Sequence, residues 1–130
     1  MYLVDTSVWA EIFIGSQLGK RTKNTLDKGE CFALDISFAE LSKWCISGNF
    51  DLQAMDGLVE KSANGILNTS KKGFIRAGEL WHSANKNHGK GRQVGLIDCI
   101  FATTAEENGL TMLTKDRHFA KFAGIKNEFI

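Results

Sequence analysis

Tyr2-Leu3-Val4-Asp5-Thr6-Ser7-Val8-Trp9 is the stretch on which the fold turns. Tyr2-Leu3-Val4 reads as a short, fully apolar strand. Directly beyond Asp5, Val8, Trp9, Ile12 and Phe13 recur at helical spacing, which predicts a helix over Ser7 to Ile14. A strand that runs through one acidic residue into a helix is the opening move of a parallel sheet covered by helices.

Outward from there the alternation continues. A polar helix is predicted over about 17–28, ended by Gly29, and then a strand at Cys31-Phe32-Ala33-Leu34. The next helix is Ile36 to Ile46, with Phe38, Leu41 and Cys45 on one face and Gly48 just beyond its end. Helical patterns follow at roughly 51–62 and 71–87, with a strand at Gly65-Ile66-Leu67 between them. A basic, glycine-rich loop, Lys86 to Arg92, leads to the clearest helix, Leu96 to Asn108, which Gly109 stops. Leu110 to Leu113 is a strand, Arg117 to Phe122 a short helix, and the last residues an edge strand. The chain has no proline, so glycine does nearly all the punctuation.

The 130 residues are enough for one domain with a substantial core. A net charge of +1 does not announce a nucleic-acid binder, so any grip on phosphate has to come from a local basic patch. No apolar run approaches the ~18 residues of a membrane span. The start lacks the basic and apolar regions of a signal peptide, and the location expected is cytoplasmic. Cys31, Cys45 and Cys99 are widely spaced and odd in number, which points to buried small hydrophobes rather than disulfides or a zinc site. His82, His88 and His118 have no metal-binding spacing.

Open α/β sheets place their sites beyond the carboxyl ends of the strands. Asp5 directly follows the first strand, and Asp116 comes three residues after Leu113. Glu40 lies about one turn into the helix after the second strand, and Asp98 in the first turn of its own helix. Taken singly, Asp5 and Asp116 read as helix N-caps and Glu40 as a solvated position. Asp98 resists such a reading, because it shares a helix face with Phe101, Ala102 and Ala105, and a bare charge there is costly. Read together, four carboxylates in one pocket repel by about 4 kcal/mol per close pair at an effective dielectric of ~20. Such a cluster needs protons or a divalent cation. An all-oxygen set selects a hard ion, Mg²⁺ or Mn²⁺, and such an ion suits phosphodiester hydrolysis by activating water and neutralising transition-state charge.

Four segments resemble the motifs of one family. Leu3-Val4-Asp5-Thr6-Ser7-Val8-Trp9 resembles the opening of PIN domains, and Ser37-Phe38-Ala39-Glu40-Leu41 their second acidic motif. Leu96-Ile97-Asp98-Cys99-Ile100-Phe101-Ala102-Thr103-Thr104-Ala105 resembles the third, and Leu113-Thr114-Lys115-Asp116-Arg117-His118-Phe119 the fourth. The match spans nearly the whole chain, in order, at the length of VapC-type toxins of toxin–antitoxin pairs. It implies one three-layer α/β/α domain over 1–130, with a central parallel sheet of four to five strands, and metal-dependent cleavage of RNA. It also implies a homodimer and a small antitoxin covering the site. On the matching positions, Asp5 and Asp98 would be the principal Mg²⁺ ligands, with Glu40 and Asp116 completing the catalytic set. Thr6, Ser7 and Thr114 would be supporting or phosphate-facing hydroxyls.

Lys115 and Arg92, with the rest of the basic loop and Arg117, stand where they would grip RNA phosphates. A solvated basic loop is the plain alternative. Trp9, Phe13, Trp44 and Trp81 read first as core. A haloacid-dehalogenase-like phosphotransferase built on Asp5 would need an aspartate two positions on, where Ser7 stands. A non-catalytic PIN-like module that binds RNA or protein is the remaining alternative. Concentrated negative charge weighs against it, because a phosphate-binding surface gains nothing from acids.

Overall fold

The structure is a computed structural model that describes residues 1–86 and 93–130. Strand β1 is Tyr2–Val4, followed by helices α1 (Thr6–Ile14) and α2 (Gln17–Leu26). Strand β2 (Cys31–Leu34) leads to α3 (Ser37–Gly48) and α4 (Leu52–Ser62). Strand β3 (Gly65–Leu67) precedes α5 (Lys71–Asn85), and α6 spans Leu96–Glu107. Strand β4 (Thr111–Thr114), a 3₁₀ helix (Arg117–Lys121) and strand β5 (Asn127–Phe129) complete the order. Every predicted element is present. Arg92 and the rest of the basic loop from residue 87 lie outside the described residues.

The ends differ from expectation in instructive places. Gly48 is the last residue of α3, not the stop beyond it, and the left-handed position falls to Asn49 at φ 56°. The Phe50 ring lies against Gly48, so that a Cβ there would stand 2.6 Å from it and push this exposed ring aside. Strand β4 runs one residue later than predicted, so that Thr114 ends it fully buried.

Period-two alternation splits the core into two. Leu3, Leu34 and Met112 face the layer of α5 and α6, where they meet Ala77, Leu80, Phe101 and Phe119. Val4, Ala33 and Leu113 face the other layer, where they meet Val8 and Trp9 of α1, Leu41 of α3 and Met55 of α4. Burying each of the larger aliphatic and phenylalanine side chains is worth roughly 1.5–3 kcal/mol. All three cysteines are free and buried within these clusters, as expected. Helix α6 is buried at every residue from Cys99 to Ala105. It stays satisfied because Thr103 donates to the Gly73 carbonyl at 3.2 Å, while Thr104 donates to the Ile100 carbonyl at 2.8 Å. Among the described residues no helix is long and apolar enough to cross a membrane.

The sheet order is β3-β2-β1-β4-β5, and every pairing is parallel. The chain leaves β1 toward β2 on one side and returns as β4 on the other. The crevice between β1 and β4 is therefore the topological switch point, where open α/β sheets hold their ligands. The register pairs Val4 with Leu113, and this sets Asp5 beside Thr114 at the open edge.

Candidate active site

Beyond that edge lies an open groove of about 820 Å³, lined among others by Asp5, Thr6, Ser7, Glu40, Asp98, Lys115 and Asp116. All four acids singled out from sequence reach it, from the ends of β1 and β4 and the first turns of α3 and α6. Thr114 stands behind Asp5 rather than in the lining.

Asp5 is the floor of the groove, only 6% exposed. It occupies the N-cap position of α1, yet its side chain makes no cap bond. Instead its Oδ2 accepts from the Ser7 hydroxyl at 2.6 Å and from the Thr114 hydroxyl at 2.9 Å. Burial raises the Asp5 carboxyl above its ordinary range, and the two hydroxyls and the amides of Thr6 and Ser7 oppose that rise. Glu40 accepts from the Thr6 hydroxyl at 2.7 Å, and burial raises it as well, helped by the charge of Asp5.

Asp116 stands both at a helix cap and in the groove. It caps the 3₁₀ helix by accepting from the His118 amide at 2.9 Å, and it still lines the groove. Its own amide donates to Thr114 Oγ1 at 2.9 Å, so one threonine ties together both acids at the β1–β4 switch. His118 Nδ1 comes within 3.0 Å of Asp116 Oδ1 without hydrogen-bonding geometry.

Asp98 lies in the first turn of α6, and its carboxyl is pushed up to about 6. Burial is the largest cause, then the charges of Asp5, Asp116 and Glu40, with the Gly95 amide opposing weakly. Three carboxylates on other elements thus act electrostatically on one. Among the described residues no three His, Cys, Asp or Glu side chains stand grouped as a ready-made metal cluster. The donor chemistry nonetheless fits a hard divalent cation: four converging carboxylates, no sulfur or imidazole lining among the described residues, and a mutual repulsion that such an ion would relieve. The hydroxyl bonds on Asp5 and Glu40 each fall on a single oxygen, Oδ2 and Oε1.

The groove also holds two charged residues that the sequence did not single out, Glu11 from α1 and Lys43 from α3, and it is lined by Trp44 of α3, which read first as core. Their signal was helical spacing: Glu11 is four residues after Ser7, and Lys43 three after Glu40. At the far end, Trp44 stacks on Phe50 with ring centroids 4.5 Å apart, and Phe13 meets both edge-on. Trp9, by contrast, is core, with its Nε1 unpartnered among the described residues.

A sheet of this order with acids gathered at its switch point defines a class, and the comparison of families agrees. The chain belongs to the PIN domain family, whose model matches residues 2–125. Its fold is similar to that of the DNA-bound VapBC of Salmonella typhimurium, at TM-score 0.76 and 20% identity over 98% of this chain and 96% of that one. It is similar to FitAcB of Neisseria gonorrhoeae at TM-score 0.70 and 24% identity, over 100% and 97%. A sarcin–ricin-loop-cleaving VapC toxin of Mycobacterium tuberculosis matches at TM-score 0.70 and 14% identity, over 97% and 99%. Comparison with curated proteins gives no significant match.

Proposed function

We propose that this protein is a Mg²⁺- or Mn²⁺-dependent endoribonuclease of the cytoplasm, acting as the toxin of a toxin–antitoxin pair. The observation that carries the reading is the convergence of Asp5, Glu40, Asp98 and Asp116 on one groove, with Asp98 driven to about 6 in part by the other three. Asp5 and Asp98 would be the principal ligands of the ion, with Glu40 and Asp116 completing the set. When bound, the ion would supply an activated water and charge neutralisation at the phosphate. The chain's own part is positional. Thr114 and Ser7 fix the Asp5 carboxylate, Thr6 fixes Glu40, and the Thr114 hydroxyl sets the backbone from which Asp116 projects.

The partner reading rests on the neighbours, several of which are toxin–antitoxin complexes by name. We take the partner to be a small antitoxin seated over the groove, and the protein to act as a homodimer. The aromatic group of Phe13, Trp44 and Phe50 offers an apolar rim for the antitoxin.

The test is to incubate purified protein with structured and single-stranded RNA in Mg²⁺, Mn²⁺ or EDTA. Cleavage is expected with either metal and not in EDTA, and is lost in Asp5→Asn and Asp98→Asn while the fold survives. Cleavage that persists in EDTA, or full activity in both variants, overturns the mechanism. Binding of RNA without products would favour the non-catalytic reading.

A further inference from the structure

Among the described residues the groove presents five carboxylates, those of Asp5, Glu11, Glu40, Asp98 and Asp116, against two lysines, Lys43 and Lys115. A phosphodiester is itself an anion, so a strand that enters must find a cation to hold it. Lys115 is already committed. Its ammonium is paired with Glu11, whose other oxygen accepts from the Ser16 hydroxyl at 2.5 Å. Its backbone amide donates to Ser7 at 3.4 Å, and it sits between Thr114 and Asp116. The Glu11–Lys115 pair therefore staples the loop carrying Asp116 to α1, and this spends the charge within the fold.

Lys43 is placed differently. It is exposed and among the described residues makes no ion pair, its charge reaching Glu40 only across space. Ala39, Glu40, Lys43, Trp44 and Ser47 form a single stripe of α3 along the groove. Lys43 is thus about 4.5 Å along the helix axis from Glu40, and its flexible stem carries the ammonium further out. We propose that Lys43 binds the phosphate adjacent to the scissile one and so sets how an RNA strand lies across the carboxylates. The proposal rests on the nuclease reading above and assigns to that site its phosphate anchor.

The test measures RNA cleavage at fixed Mg²⁺ over a series of KCl concentrations, for the wild type, Lys43→Gln, Lys43→Arg and Lys71→Gln. Lys71 heads α5 at the opposite edge of the sheet, beside Ser70, which bonds Glu107 at the far end of α6. For Lys43→Gln, KM is expected to rise about fivefold with kcat within about twofold, and the slope of log(kcat/KM) against log[KCl] to flatten by about 0.7. Lys43→Arg should restore the wild-type slope, and Lys71→Gln should never leave it. If the wild type cleaves and Lys43→Gln keeps its KM and slope, the assignment of Lys43 fails while the nuclease reading stands. If the wild type does not cleave, both fail.

Discussion

Replacing Asp98 by asparagine should make the metal-free protein more stable near neutral pH while removing its activity. Folded Asp98 holds its proton up to about 6, whereas in the unfolded chain it lets go near the ordinary 3.8. Between those values the folded state binds the more protons, so stability falls as pH rises through the window. Below 3.8 the carboxyl is protonated in both states and carries no penalty; above about 6 the penalty is complete. At about 1.4 kcal/mol per unit the ceiling is about 3 kcal/mol, and solvent reaching the half-exposed carboxylate cuts this to about 1–2 kcal/mol. Loss of a negative charge from the first turn of α6 takes back about 0.3–1 kcal/mol. The net gain of about 1 kcal/mol corresponds to roughly 3–6 °C in Tm for a chain of this size. The assay is thermal unfolding of both proteins in EDTA at about pH 7.5 and again at about pH 4, where the gap should close. Adding Mg²⁺ at the higher pH should raise Tm of the wild type more than that of the variant. A variant no more stable than wild type at the higher pH, or a gap of equal size at both, would refute the claim that the cluster is strained by its own charge.

Thr114→Val should destabilise the fold by about 1–3 kcal/mol, because a buried carboxylate and the Asp116 amide both lose the same hydroxyl; denaturant titration measures it, and Thr114→Ser should recover most of the loss. Gly19→Ala should be more damaging than an ordinary glycine-to-alanine change within a helix. The new Cβ would stand 2.0 Å from the Glu11 carbonyl oxygen and force α2 away from α1, so soluble yield and Tm should both fall. Cys99, buried and with its thiol pushed up to about 12, should be inert to thiol reagents in the native protein and react only on unfolding, as labelling with and without denaturant would show.

The architecture was legible because β1 to β4 are short, mostly apolar runs and the helices keep their period, whereas β5, Asn127-Glu128-Phe129, has no such signal and was placed only as an edge. Asp5 was found by the strand that it ends, and Asp98 by the apolar face that it interrupts. Asp116 was ambiguous in a way that the structure does not remove, because the residue both caps a helix and faces the groove. Lys43 and Glu11 were missed for a physical reason. On a surface helix a charged residue at one position looks like any other, and only the packing of α1 beside α3 makes these two line one groove. The double duty of Thr114 was equally hidden, since it depends on the β1–β4 register, which no local pattern reports.

That register has a consequence in time. Asp5 and the Thr114 that orients it are 109 residues apart. At about 5–20 residues per second, a ribosome needs roughly 5–20 s to make the second after the first. Until β4 has emerged and docked, β1 lacks a neighbour on that side, Asp5 has lost one of its two hydroxyl partners, and Asp116 does not exist. A chain cut short within α6 would carry three of the four acids and still lack the edge that gathers them. Long-range closure of this kind is slow in folding, and until it is complete the groove has no floor bonded on both sides and no fourth acid.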